Sequence, residues 1–378
     1  MDQLGIGIGT TVLCNGITAA GIDGIGHYTQ ELLDGLSVDP TLTVRPFAFG
    51  PGAMLPNGLA PIELQRFALG SLPSLLFGQS YWGSRTLRSR VDVVHATDHL
   101  IPRMKGVQVL ATIMDAIPLA HPEWVNYRFR TIKNAIWRNT AAFADHFITI
   151  SEHSKGDLIN YFGLREERIS VTPLGVGKRW FAKPAARLLQ NVRERYQLPE
   201  NFFLFVGTLQ PRKNVARIID AHRSLAPAMR RSHPLLIIGR EGWQCDDVLD
   251  RLHADDPQVR WLQYVPGDDL PVILRCASAL VFASLHEGFG LPVLEAFAAE
   301  VPVITSKITS LPEVAGDAAL LVNPYDCDNI AWAMQQLCDD STLAAHLRQA
   351  GLSRARAFSW NKTTRATIDI YRRLVVNR

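Results

Sequence analysis

Apolar residues in this chain fall into short unbroken runs, each followed by a stretch with helical periodicity. In the first half the runs are Leu4–Gly9, Val44–Phe49, Val91–His95, Val109–Ile113, Phe147–Ile150 and Ile169–Pro173. Amphipathic stretches such as His27–Leu36 and Tyr127–Phe143 lie between them. Continuous apolar strands separated by helices predict a parallel sheet covered on both faces. A polar, helix-prone segment, Lys183–Gln197, interrupts the rhythm. The alternation then resumes through Phe202–Gly207, Leu235–Gly239, Val259–Tyr264, Ala279–Ala283, Val301–Thr305 and Ala319–Val322. The final segment, Trp360–Val376, reads as one amphipathic helix. The pattern predicts an α/β protein with two doubly wound domains facing each other across a cleft. The expected boundaries are 1–182, a linker at 183–198, a second domain at 199–359, and a C-terminal helix, 360–378, packing back on the first.

Composition changes this picture little. Apolar residues are 47% of the 378 and charged residues 20%, enough for large cores without disulfides or metals. A net charge of +3 gives no argument for nucleic acid as a partner. The five cysteines, Cys14, Cys245, Cys276, Cys327 and Cys338, are scattered and form no CxxC pair, which points away from zinc and toward a reducing compartment. The opening residues MDQLGIGIGTTVL lack the basic start and apolar core of a secretory leader. No stretch has the ~18 apolar residues of a membrane span. A cytoplasmic protein, soluble or peripheral on the membrane, is expected.

The densest chemistry lies in HEGFGLPVLE, His286–Glu295, directly after the apolar run ALVFAS. Ligands of open α/β sheets bind at the carboxyl ends of strands. There Gly288 and Gly290 let backbone amides approach a phosphate, Pro292 suits the first turn of a helix, and the helix start adds positive potential. Glu287 and Glu295 would each take two sugar hydroxyls. A second site is GTLQPRKN, Gly207–Asn214, after FFLFV. Arg212 and Lys213 at a helix start oppose the macrodipole and so ask for a counter-anion, such as the charge developing on a leaving nucleoside diphosphate.

Two weaker sites lie in the first half. The run Gly21-Ile-Asp-Gly-Ile-Gly precedes a helix and is either a flexible turn or a phosphate loop; its spacing is not the GxGxxG of dinucleotide enzymes. Asp115, in TIMDAIPLAHPEW, either deprotonates an acceptor hydroxyl or caps the turn before Pro118. His95 and His121 are weaker candidates for contacts in the cleft. The doublets Asp246-Asp247 and Asp268-Asp269 read as surface loops, so no metal is required.

Glu287 and Glu295, eight residues apart, and the surrounding EGFGLPVLEA resemble the E-x7-E signature of the retaining family-4 GT-B glycosyltransferases. The likeness extends from about residue 5 to residue 375 through TISEHSK, VTPLGV, LPEV and NPYD, and is looser in the first half. It implies a GT-B fold of two Rossmann-like domains, an N-terminal one for the acceptor and a C-terminal one for the nucleotide sugar. By resemblance, Glu287 lies by the donor sugar, Glu295 holds the ribose, and Arg212 and Lys213 contact the diphosphate. Gly24 and Gly26 close over it, and Gly207, Gly288, Phe289, Gly290 and Leu291 complete the donor site. Where the family often has a His-Asp pair, this chain has Met114 and Asp115.

The implied activity is retaining hexosyl transfer without a metal. The best match is mannose from GDP-mannose to an oligosaccharide or lipid-linked acceptor in surface-polysaccharide (lipopolysaccharide) assembly. A nucleotide-sugar 2-epimerase and a catalytically silent scaffold share the fold as alternatives. Arg66–Arg90 and Tyr127–Asn139 mix aromatic and basic residues; they either touch the inner membrane surface or are core helices with arginines at the rim.

Overall fold

Strands form where the apolar runs lie, because a central parallel strand is buried on both faces and tolerates no polar alternation. The computed structural model describes residues 3–18, 22–126 and 128–376. Its first unit, Met1–Ala120, Tyr127–Gly175 and Trp360–Arg378, is built on seven strands. They are β1 (Leu4–Gly9), β2 (Leu42–Phe49), β3 (Ile62–Leu64), β4 (Val93–Ala96), β5 (Gln108–Thr112), β6 (His146–Thr149) and β7 (Ile169–Val171). Their order is β3-β2-β1-β4-β5-β6-β7, every pair parallel, with Ile6 beside Val44 on one side and Val93 on the other.

The second unit, His121–Asn126 with Val176–Ser359, holds β8 (Phe203–Val206), β9 (Leu235–Ile238), β10 (Val259–Leu262), β11 (Ala279–Phe282), β12 (Val303–Ser306) and β13 (Leu320–Val322). Their order, β10-β9-β8-β11-β12-β13, is again all parallel. Both sheets thus reverse direction of growth between their first and fourth strands, and that reversal opens the crevice where ligands of such sheets bind.

The C-terminal helix, Trp360–Val376, belongs to the first unit and is tied to it by a buried polar chain. Tyr371 Oη lies 2.7 Å from His95 Nδ1, His95 Nε2 lies 2.8 Å from Thr112 Oγ1, and Thr112 Oγ1 lies 2.9 Å from Tyr28 Oη. Burial holds His95 neutral, its pKa pushed down to about 3. His95 is therefore a core residue, and the cleft-contact role weighed for it does not hold.

Residues 183–198, read from the sequence as a linker, lie in the second unit, where the helix Ala186–Tyr196 is anchored by Asp269. Asp269 is buried and accepts from Arg195 Nη1 (2.8 Å) and Tyr196 Oη (2.7 Å), so it is a structural carboxylate and not part of a surface loop. Asp246 and Asp247 likewise open a helix, Asp246–His253, where acidic residues suit the dipole.

Candidate functional site

The crevice of the second sheet lies between the carboxyl ends of β8 and β11, and the two strongest sequence motifs follow those two strands. After β8 the chain passes Gly207, runs to Gln210, and forms a tight 3-10 turn, Pro211–Lys213. The helix proper begins at Val215. Its N-cap, Asn214, sits in the left-handed region (φ 60°), which Asn tolerates better than most residues. The Asn214 amide donates to Ala283 O (2.9 Å) and Pro324 O (2.7 Å), binding the β8 loop to the end of β11 and to the 323–326 turn.

Close backbone approach shapes the same loop. Gly239 ends β9 at φ 158°, and a Cβ there would lie 1.9 Å from Gly207 O. Only glycine lets the two strand ends pass this closely.

After β11 comes Ala283–His286 and then Glu287, followed by the helix Leu291–Ala298 with Pro292 in its first turn. Gly290, at φ 111°, lets the chain enter that helix, and a Cβ there would sit 2.6 Å from Leu311 Cδ2. Ser310 Oγ lies 2.8 Å from Glu287 O and 3.0 Å from Phe289 O, within donating distance of both carbonyls, and fixes the loop from the far side.

The two loops meet in a buried charge cluster. Lys213 Nζ donates to Glu287 Oε1 (2.6 Å), and Arg212 Nη1 donates to Glu287 Oε2 (2.8 Å) and His286 O (3.1 Å). Lys213 Nζ also lies 4.8 Å from the centre of the Phe282 ring. Burial alone would raise the Glu287 pKa, but the charges of Arg212 and Lys213 outweigh it and hold it at about 2. The side chains keep 21% (Arg212), 11% (Lys213) and 9% (Glu287) of their surface exposed, so the guanidinium is the most accessible charge. Within this cluster two cations stand against one carboxylate.

Glu295 contrasts with Glu287. It is partly buried in the second turn of its helix, and its carboxylate makes no hydrogen bond or ion pair among the described residues. Burial pushes its pKa up to about 7, against a smaller opposing pull from Arg179.

Several sequence expectations take a different form here. The counter-anion that Arg212 and Lys213 ask for is supplied by Glu287 itself, so both Glu287 oxygens already carry charged donors. The two cations stand on a turn just ahead of the helix, where Glu287 offsets their charge beside its positive end. Phe289 is a core residue, its ring packed edge-on against Phe358 at 5.9 Å. Gly288 and Gly290 are buried, and Leu291 begins the helix.

In the first unit, Gly24 and Gly26 lie inside the first turn of the helix Gly24–Ser37, not in a free loop. The Gly26 amide donates to the N-cap Asp23 carboxylate at 2.8 Å, and Gly21 falls outside the described residues. Asp115 accepts from Ile117 N (3.0 Å), the geometry of a turn cap. His121 belongs to the second unit, where it stacks on Trp124 (3.9 Å between centroids) and meets His286 edge-on at 5.3 Å.

Four residues at the crevices were not singled out from sequence. Asn214 closed the quoted GTLQPRKN motif, and a polar residue beside two cations at a helix start was the available signal. Ser310 and His286 act through contacts with no local signature. Asp98 follows β4 at the crevice of the first sheet; it is buried and accepts from Leu100 N (2.7 Å). Burial raises its pKa, with Asp23 adding to the rise. Its position two residues past a strand end was visible in VVHATD.

Residues 190–354 match the family model described as glycosyl transferases group 1, and residues 22–178 match that of glycosyltransferase family 4. The chain is 37% identical to the O-antigen chain mannosyltransferase B of Escherichia coli over 60% of its own length, and spans 60% of that relative. It is 30% identical to the D-inositol 3-phosphate glycosyltransferase of Salinispora tropica, covering 88% of this chain and 72% of that one. In fold it resembles the Anabaena protein HepE in complex with UDP and glucose, with a TM-score of 0.75, 17% identity, and coverage of 97% and 99% of the two chains. That likeness fits two Rossmann-like parallel-sheet domains of the GT-B type. With matched segments in both halves and a relative this similar over most of its length, the chain belongs to the group 1 glycosyltransferases.

Proposed function

We propose that this protein is a retaining glycosyltransferase that moves a hexose, mannose from GDP-mannose, onto a saccharide or lipid-linked saccharide in cell-surface polysaccharide assembly. The observation that carries this reading is the Arg212–Lys213–Glu287 cluster at the strand reversal of the second sheet. A largely desolvated cluster of two cations and one carboxylate stabilises the negative charge that develops on a departing nucleoside diphosphate, and it does so without reorganising. In this reading no metal is needed, because the guanidinium and the ammonium do its electrostatic work. Glu287 orients the two cations and keeps them from repelling each other. Glu295, whose carboxylate makes no hydrogen bond or ion pair among the described residues, takes the ribose hydroxyls. Asp115 serves the acceptor hydroxyl, which attacks from the face that the diphosphate leaves. The choice of mannose rests on the likeness to the E. coli mannosyltransferase. The protein works at the cytoplasmic membrane face, where a lipid-linked acceptor would be presented.

The test is a melting-temperature screen with GDP, UDP, ADP, dTDP and NAD in the presence of EDTA. A nucleoside diphosphate at about 100 times its dissociation constant adds roughly 2.7 kcal/mol. The expected result is a shift with GDP that Arg212→Ala abolishes. A shift with a different nucleoside diphosphate would replace the donor. No shift with any of them, or a shift indifferent to Arg212→Ala, would remove the assignment.

A further inference from the structure

Beyond Phe67, which packs on Phe49 and Tyr81, the helix Phe67–Phe77 is packed inside out. Its buried residues are Gly70, Ser71 and Ser74, while Leu69, Leu72, Leu75, Leu76 and Phe77 face solvent. A surface helix of a soluble protein ordinarily does the reverse. The inward face is shaped for close contact: a Cβ on Gly70 would lie 2.1 Å from Tyr81 Cζ, and the Ser71 and Ser74 hydroxyls have no hydrogen-bond partner among the described residues. The outward face therefore cannot be exchanged for the inward one by rotating the helix. Leu76 and Phe77 remain 68% and 73% exposed, and Trp82 beside them 60%, its amide donating to Gly70 O (2.9 Å). A contiguous apolar face of this kind marks a binding surface.

A second element joins it. The helix Arg130–Ala141 is exposed along most of its length, including Ile132 and Ile136, with exposed Phe129 at its start. Arg103 links the ends of the two helices. Its Nη1 lies 3.9 Å from where a side chain on Gly78 would begin, and its guanidinium carbon lies 5.6 Å from the Phe143 ring centre.

Charge identifies the partner. Between Glu63 and Asp92 the chain has four arginines and no acidic residue, and between Glu123 and Asp145 it has Arg128, Arg130, Lys133 and Arg138 and again no acidic residue. Glu63, at the border, already accepts from Gly52 N (2.7 Å). Arg66 and Arg85 are exposed and form no ion pair among the described residues. A second copy of this chain would bring like charges together. A bilayer containing anionic lipid accepts aliphatic and aromatic side chains without a shaped pocket, places Trp82 at its interface, and attracts the arginine fringe.

We infer that the outward face of the helix Phe67–Phe77, with Trp82 and the helix Arg130–Ala141, docks this protein on an anionic lipid surface. This rests on the membrane-face part of the proposed function and is independent of the donor assigned there.

The experiment is sedimentation of the full chain with vesicles of phosphatidylcholine alone and of phosphatidylcholine with about one third phosphatidylglycerol. The chain is expected to pellet with the mixed vesicles and not with the neutral ones, and less so as salt is raised. Leu76→Ser with Phe77→Ser should lower partitioning about tenfold or more, and Arg66→Gln with Arg85→Gln severalfold. Both double variants change exposed side chains, and an unaltered melting temperature checks that they fold. Absence of binding to anionic vesicles, or binding that the Leu76 and Phe77 changes leave intact, would overturn the inference. So would a lipid-free dimer that those changes dissociate, which would make the face a protein interface. Vesicle binding with no nucleoside-diphosphate shift would instead remove the donor reading and leave this one standing.

Discussion

The two units carry sheets of the same strand order and differ in what they place at the reversal point. In the second unit the loops after β8 and β11 converge on three charges, cross-tied by Asn214 and Ser310. In the first unit the loops after β1 and β4 carry Thr10, Thr11, Thr97 and Asp98, each engaged in hydrogen bonds to its own backbone surroundings. Its conspicuous features lie elsewhere, in a sealed polar chain under the C-terminal helix and an apolar helix turned outward. A fold alone therefore does not make a site; the second unit concentrates paired charges at its crevice, where the first has hydrogen-bonded threonines and the buried Asp98 carboxyl. A unit that grips an anionic nucleotide needs a preformed field, whereas one that meets a variable acceptor does not.

The sharpest way to break this comparison is to remove the anion from the charged crevice. Glu287→Gln leaves Lys213 and Arg212 facing each other with little solvent between them. Breaking a buried pair in this way should lower stability by ~3–5 kcal/mol, read by urea denaturation. Nucleoside-diphosphate binding and turnover should fall with it. Asp115→Asn, in the first unit, keeps an oxygen that can accept from Ile117 N and should cost much less, about 1 kcal/mol. If Glu287→Gln changed stability by less than ~1 kcal/mol, the cluster would be solvent-screened and its preorganising role would be lost.

Acid should separate the two units next. His95 has an ordinary pKa of 6.5 and a folded value of about 3, and His146, also in the first unit, is lowered to about 4, mainly by burial. The unfolded chain binds these protons before the folded one does. Stability is thus intact above pH 6.5 and is lost as pH falls toward 3, by at most ~1.4 kcal/mol per pH unit for each group. Glu287, depressed from 4.5 to about 2, has its own contribution intact above pH 4.5 and loses it only below that. His222 and His233 in the second unit are lowered as well, so that unit also weakens, but less. Segment-resolved hydrogen exchange between pH 6.5 and 4.5 should show protection lost first around β4, β5 and Trp360–Val376. Loss beginning in β8 and β11 would reverse the comparison.

The same asymmetry governed what could be read in advance. Strands of the second sheet were legible to within a residue or two because their apolar runs are unbroken, as full burial demands. β3 was missed, since Ile-Glu-Leu at a sheet edge is short and alternates like any loop. The Gly24 helix starts earlier than its apolar pattern because Asp23 caps it, a bond that extends the helix into residues with no apolar period. The charge cluster was half legible: each motif announced itself, but that Glu287 would neutralise Arg212 and Lys213 depended on β8 and β11 being neighbours. The role of Asp269 depended in the same way on a helix seventy residues earlier in the chain. The direction faced by Phe67–Phe77 could not be read either, because a Leu-rich run looks the same whether it faces the core or solvent; Gly70 against Tyr81 decides it.

A smaller effect tests how the second unit uses the Glu295 carboxylate. With a pKa of about 7, Glu295 is partly protonated at neutral pH, and the ionised form accepts more strongly, through both oxygens, from a pair of ribose hydroxyls. Donor affinity should therefore rise as pH climbs through about 7, by up to tenfold for ~1.4 kcal/mol of hydrogen bonding. Glu295→Gln should flatten this profile at a low affinity. A wild-type profile flat between pH 6 and 8 would mean that Glu295 does not contact the donor.

The smallest expected effect is at a permissive glycine, Gly24, set against a structural one, Gly239. Gly239→Ala in the second unit would drive a Cβ to 1.9 Å from Gly207 O at φ 158°, so it should fail to fold normally. At Gly24 in the first unit a Cβ would meet nothing within 4 Å, and the residue already lies in the first turn of a helix. Gly24→Ala removes freedom only from the unfolded chain and should hold or raise stability by ~0.4–1 kcal/mol. If the bare backbone at Gly24 is nevertheless needed for the diphosphate to approach, the donor KM should rise while the melting temperature does not fall. An unchanged KM would show that this turn is a helix start and nothing more, and would leave donor binding to the second unit alone.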